Sequence, residues 1–216
     1  MAAETTQLLV LHALRLASMA TTDVVATRFS LDEPLVRRTL DDASGRGWVQ
    51  FRSGRLTGWT LTTAGRDQGE RLLSEELQRT EARASIESAY DQFIGINAEL
   101  LSICTDWQAV VVDGVEVVND HRDAARDASV LARLDRLHLQ ILPVTSALAD
   151  ALARFDGYGS RLTAAHERII GGETEWLTRP TIDSYHTVWF ELHEDLLATL
   201  GRRRSEERHG PAGGPH

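Results

Sequence analysis

The sequence predicts a mainly α fold in two parts. Residues 1–78 read as a small domain of helices with one β-hairpin, residues 79–203 as an all-α helical bundle, and residues 204–216 as a disordered tail. Three observations predict it. Apolar residues recur at spacings of three and four through most of the chain, the period of an amphipathic helix. One early stretch, "GWVQFRSGRLTGWTLTTAGR" (47–66), instead sets two short apolar runs around a basic turn, the pattern of a hairpin. Charge divides the chain as well: residues 1–72 hold nine arginines against eight acids, whereas the whole chain carries a net charge of −9.

In the first segment Leu8, Leu9, Leu11, Leu14 and Leu16 give a helix-period apolar face. "ATTD" interrupts it, with Thr22 or Asp23 as the expected N-cap of a short second helix over "VVATRF". "SLDE" (30–33) has the form of a capping box, and Pro34 is tolerated in a first helical turn. Leu35, Val36, Leu40 and Ala43 then continue a third helix until "GRGW" stops it. Trp48 and Trp59 are expected to pack the small sheet onto the first helix, since a small domain needs large apolar side chains.

Helix, helix, turn, helix, hairpin, helix is the order of a winged helix-turn-helix, whose third helix enters the major groove. "LDEPLVRRTLDDASGRGWV" resembles the recognition helix and following strand of MarR-like regulators, and "GWTLTTAGR" is similar to their step from wing to helix. The resemblance covers about residues 5–78. It implies a DNA-binding head with Glu33, Pro34, Arg37 and Arg38 at the reading helix, Arg52 and Arg55 in the wing, and Arg66 in the first turn beyond it. The acidic pair Asp41–Asp42 on the third helix departs from that pattern and would repel phosphate.

All basic residues are arginine, so every cation is a planar fork suited to phosphate or to guanine O6 and N7. Arg37 and Arg38 lie one turn into the third helix, away from Val36 and Leu40. Arg52 and Arg55 flank Ser53–Gly54 at the hairpin tip, where contact with backbone or minor groove is expected.

In the body, residues 63–107 read as one long helix or two in line, with the polar "QRTEARAS" as the hinge between head and body or a solvent-bridging stretch. Ile86, Tyr90, Phe93, Ile96 or Asn97, Leu100 and Ile103 supply the second apolar face. "AVVVDGVEVVNDHRD" is the one non-helical interlude, a hairpin or ordered loop about Asp113–Gly114. Helices follow over 126–155, which Pro143 is expected to kink or divide, over 158–170, and over 181–203.

Chemistry-bearing residues in the body are histidines and aromatics. His186 and His193, seven apart, share a helix face; His121 lies beside Asp120 and Asp123; His138 and His166 are on other helices. None has the spacing that sets two metal ligands side by side on one helix, so no metal is expected. Local hydrogen bonding and a share in a small-molecule pocket remain the readings. Trp107, Trp176 and Tyr185 fall near helix ends, where an apolar pocket with polar tips could open. With His138, His186 and His193 they form the expected ligand set.

The single cysteine excludes an intramolecular disulfide framework. Glu4, His12 and Arg15 make the opening segment an amphipathic helix rather than a signal peptide. No run approaches the roughly 18 apolar residues of a membrane span. The expectation is a cytoplasmic, homodimeric transcriptional regulator on double-stranded DNA, with a helical body open to a small-molecule effector. The chain has no GxGxxG, P-loop or CxxC, and no nucleophile–base pair, so neither cofactor nor enzymatic activity is expected. The competing reading is a winged-helix module that docks onto protein, which the acidic net charge favours.

Overall fold

The computed structural model describes residues 2–112 and 114–203; the expected tail, residues 204–216, lies outside them. The chain is mainly helical and falls into two compact units: Met1–Glu81 together with the chain from Glu194, and Ala82–His193. The last helix therefore contributes its C-terminal turns to the first unit, whereas the expected boundaries place it wholly in the body.

The first unit contains α1 (Ala2–Ala17), α2 (Thr22–Arg28), α3 (Glu33–Gly45), β1 (Val49–Arg52), β2 (Gly58–Leu61) and α4 (Thr63–Arg79). Its core draws Leu8, Leu11 and Leu14 of α1, Val25 of α2, Val36 and Leu40 of α3, Trp59 of β2 and Leu73 of α4 into one cluster. Leu9 and Leu16 are only half-buried. Val10, Ala13 and His12 are buried in addition, so α1 is enclosed more widely than an amphipathic stripe requires.

His12 is accommodated by a partner at the far end of the chain. Its Nε2 stands 2.9 Å from Asp195 Oδ1, with both side chains fully buried. Asp195 sits near the end of α8 (Tyr185–Leu200), and Thr199 Oγ1 also donates to it. A buried carboxylate needs such partners because an unpaired one is costly.

In the first unit two helix starts differ from expectation. The residue before α2 is Thr21, not Thr22 or Asp23, and its side chain makes no capping bond. The cap of α3 is Asp32, whose carboxylate accepts from Leu35 N at 2.9 Å; Ser30 is left-handed (φ 51°) and outside the helix. Proline decides the second case. A start capped by Ser30 would put Pro34 where its missing N–H breaks the helical ladder, whereas with Asp32 as cap it falls in the first turn, where no intrahelical donor is needed.

β1 and β2 pair antiparallel, Val49 opposite Leu61 and Arg52 opposite Gly58. Ala20, in the α1–α2 link, exchanges two backbone hydrogen bonds with Trp59 (3.1 and 2.8 Å) and adds a one-residue bridge to the hairpin. Gly58 permits this approach: a Cβ there would lie 2.9 Å from the Ala20 carbonyl oxygen. Trp59 packs in the core and donates through Nε1 to Thr22 Oγ1. Trp48 is half-buried against the same cluster.

In the second unit α5 (Arg83–Gln108) runs against α6 (Ala124–Ala151), and α7 (Tyr158–Ile170) and the first turns of α8 complete the helices. The polar "QRTEARAS" does interrupt the helix: α4 ends at Arg79, and Glu81 is left-handed (φ 54°) before α5 begins. Arg133 of α6 binds Glu99 of α5 at 2.8 Å and also reaches Asp106. The Arg161 guanidinium holds Asp183 and Glu191 at 2.7 Å each. Trp189 Nε1 donates to Asn97 Oδ1 at 2.9 Å.

The unit is not wholly helical, because β3 (Ala109–Val112) and β4 (Val115–Val118) form an antiparallel hairpin with exposed valines. Pro143 does not divide α6, which continues through it. Proline removes only the N–H that would serve the Leu139 carbonyl, and both residues lie on the exposed side, where solvent can take the freed oxygen. A short 3-10 turn, Ala153–Phe155, follows α6. α8 starts at Tyr185, four residues later than expected. Among the described residues no helix is long and apolar enough to cross a membrane.

Candidate functional site

The basic residues of the first unit sit on three consecutive features. Arg37 and Arg38 follow Pro34 on α3 and are exposed, while Val36 and Leu40 on the opposite side are fully buried. That division comes from the helix period itself, and it also leaves Glu33 and Pro34 exposed. Arg52 ends β1 and Arg55 stands in the turn to β2, both exposed. Leu56 beside Arg55 is 73% exposed, an unusual place for a leucine. Arg66 is exposed in the first turn of α4, its N–H bonded to the Thr62 carbonyl.

Thr62 fixes where that turn begins. Its hydroxyl lies 2.7 Å from the Gly47 carbonyl oxygen and 3.1 Å from that of Trp48, and it accepts from Gly65 N at 3.0 Å. One threonine thus caps α4 and ties it to the chain leaving α3. The "LTTAG" motif is this junction.

Asp41 and Asp42 stand one helical turn beyond Arg37 and Arg38, the spacing at which helix ion pairs form. Among the described residues neither pair closes, and Arg37, Arg38, Arg52, Arg55 and Arg66 take part in no ion pair. By contrast Arg15 is bound to Glu70 at 2.7 Å and Arg71 to Glu75 at 3.0 Å. Five uncompensated forks on α3, the hairpin and the start of α4 are the feature to explain.

The body residues do not gather into one site. Tyr185 is fully buried, its hydroxyl 3.3 Å from His138 Nδ1. His138 stacks on His166 (ring centroids 4.2 Å apart), and His166 Nε2 is 2.8 Å from Asp135. Burial and the neighbouring His166 press the His138 pKa down to about 4, so its ring is neutral. Burial also lowers that of His186 and raises that of the Tyr185 phenol. His193 lies buried against the Phe93 ring, centroids 5.2 Å apart. The Trp176 ring lies under the Arg168 guanidinium at 4.3 Å. These are packing and local hydrogen-bond roles.

An open cleft of about 300 Å³ does exist in this unit, lined by Trp107, His121, Thr174, Glu175, Thr178 and Arg179. Of the expected ligand set only Trp107 belongs to it. His121 is held by Asp127 (3.0 Å), not by its neighbours Asp120 and Asp123, which bond the backbone N–H groups of residues 122, 125 and 126. The lining was hard to read from sequence because Thr174 to Arg179 make a single helical turn, too short for a periodicity to show. Among the described residues no group of three or more His, Cys, Asp or Glu side chains is arranged to hold a metal ion.

Set against known proteins, the chain matches no family model, no curated protein and no solved structure.

Proposed function

We propose that this chain is a cytoplasmic, one-component transcriptional regulator. Its first unit is a winged helix-turn-helix that binds double-stranded DNA, with α3 in the major groove and the β1–β2 hairpin as a wing on backbone or minor groove. The second unit serves homodimerisation and small-molecule sensing. The observation that carries the reading is the set of five exposed arginines without ion-pair partners on α3, the hairpin and α4, despite acids one turn away. Uncompensated cations on a protein of net charge −9 are suited to a polyanion.

A mobility-shift assay of the purified chain against genomic fragments, repeated over several salt concentrations, tests it. Sequence-selective shifts that weaken as salt rises are expected. Absence of any shift at low salt would rule DNA out.

A second reading keeps the fold and changes the partner. Phe51 and Leu56 are exposed on the hairpin, and Asp41–Asp42 stand on the reading helix, features suited to docking onto protein. The same assay separates the two.

A further inference from the structure

The cleft in the second unit is built on two sides. On one side Trp107, near the end of α5, carries the His121 ring at 4.4 Å between centroids. His121 has left-handed backbone (φ 56°), a conformation that a non-glycine residue keeps only when its surroundings impose it. Asn119 imposes it: its Oδ1 accepts from His121 N at 3.1 Å, while its amide donates to the Trp107 carbonyl and to Asp127, both at 3.1 Å. Asp127 in turn stands 3.0 Å from His121 Nδ1. Among the described residues the other ring nitrogen, Nε2, has no partner.

On the other side the chain from Thr174 to Arg179 makes a helical turn, Arg179 N donating to the Glu175 carbonyl at 3.0 Å. Glu175 and Arg179 are therefore one turn apart and both line the cleft. Among the described residues they form no ion pair with each other or with any other group; Arg179 Nε donates to Thr181 Oγ1, which leaves the rest of the fork open. One small cleft thus presents an aromatic wall, an open cation and an open anion.

We propose that this cleft binds a small zwitterion with a flat apolar side chain, in class an aromatic α-amino acid. Its carboxylate pairs with Arg179, its ammonium with Glu175, and its ring lies against Trp107, with the Thr174 and Thr178 hydroxyls as further hydrogen-bond groups. A ligand of one charge would leave one of the two side chains unmatched; a zwitterion satisfies both. The volume suits a ligand of that size. This assignment rests on the reading of the body as the sensing part.

The test is calorimetric titration of the full chain, without DNA, with L-phenylalanine, phenylacetate, phenethylamine and glycine. L-phenylalanine is expected to bind one per chain and more tightly than the other three, each of which lacks one of the three groups. Arg179→Gln and Glu175→Gln, both at exposed positions, are each expected to weaken L-phenylalanine binding about tenfold, the effect of losing one charge-assisted hydrogen bond. Glu175→Gln should not weaken phenylacetate binding. No heat with L-phenylalanine at millimolar concentration, or binding by both variants as tight as that of the unmodified chain, overturns the site. A mobility shift measured with and without L-phenylalanine then separates the failures. Binding without any DNA shift sinks the regulator and leaves the site; a DNA shift without binding sinks the site alone.

Discussion

Gly65 lies so close to Trp48 that a Cβ built on it would stand 1.8 Å from the Trp48 carbonyl oxygen. The obstacle is backbone, so no rotamer change relieves it. Gly65→Ala must push the first turn of α4 away from the chain leaving α3 and break the Thr62 bonds to Gly47 and Trp48. A loss of about 3 kcal/mol is expected, the upper range for overpacking. Gly69→Ala, where the nearest atom is Leu11 Cβ at 3.8 Å, should instead add up to about 1 kcal/mol through helix propensity. Urea denaturation of the two variants decides the matter; equal midpoints would show that the junction is not rigid.

What the sequence made legible was local. α7 is bounded at residues 158 and 170, as its apolar spacing and the following glycines indicate, and the hairpin of residues 47–66 pairs about its basic turn. The misses depend on partners remote in sequence or on competition within one turn. His12 reads as an interruption of an apolar run until Asp195, near the other end of the chain, is placed beside it. Ser30 and Asp32 both offer a cap, and only the position of Pro34 relative to each decides between them. Of the candidate site, the exposed arginines follow from helix period. The cleft does not, because Arg179 and His121 come from irregular segments whose meeting no periodicity encodes.

Arg37 and Arg38 are exposed on α3 and support nothing that the fold needs. Replacing both with alanine should leave the thermal midpoint within a degree or two while specificity for the operator falls. Removing a bidentate base contact costs about 1–3 kcal/mol. Asp41→Asn with Asp42→Asn should act oppositely, strengthening binding to all sequences by removing repulsion from phosphate. Competition binding against random duplex measures both. An operator preference unchanged in the arginine variant would mean that α3 does not read bases.

The hairpin arginines are expected to leave a different signature. Arg52→Ala with Arg55→Ala removes two exposed cations from the hairpin, so affinity should drop on operator and random DNA alike. The dependence of log K on log salt should become shallower by about 0.9 for each phosphate that is no longer neutralised. A slope identical to that of the unmodified chain would remove the hairpin from the interface.

His138 gives the second unit a defined acid response. The residue is 6% exposed, with His166 stacked on one face of its ring, Asp135 behind His166, and the Tyr185 hydroxyl at Nδ1. Burial keeps the phenol protonated, and its hydroxyl and Nδ1 share a hydrogen bond at 3.3 Å. Burial first and His166 second lower the pKa from 6.5 to about 4. The unfolded chain therefore binds a proton between these values that the folded chain refuses. Stability is complete above pH 6.5 and falls as pH drops toward 4, by up to about 3 kcal/mol at about 1.4 kcal/mol per unit. His186, lowered by burial, acts in the same direction. Urea midpoints at pH 7 and pH 5 should differ for the unmodified chain and differ less for His138→Gln, whose amide can hydrogen-bond Tyr185 in either direction. An NMR titration should keep the His138 ring neutral at pH 5. Parallel pH profiles for the two proteins, or a His138 ring that is charged at pH 5, would remove this residue as the source of the acid sensitivity.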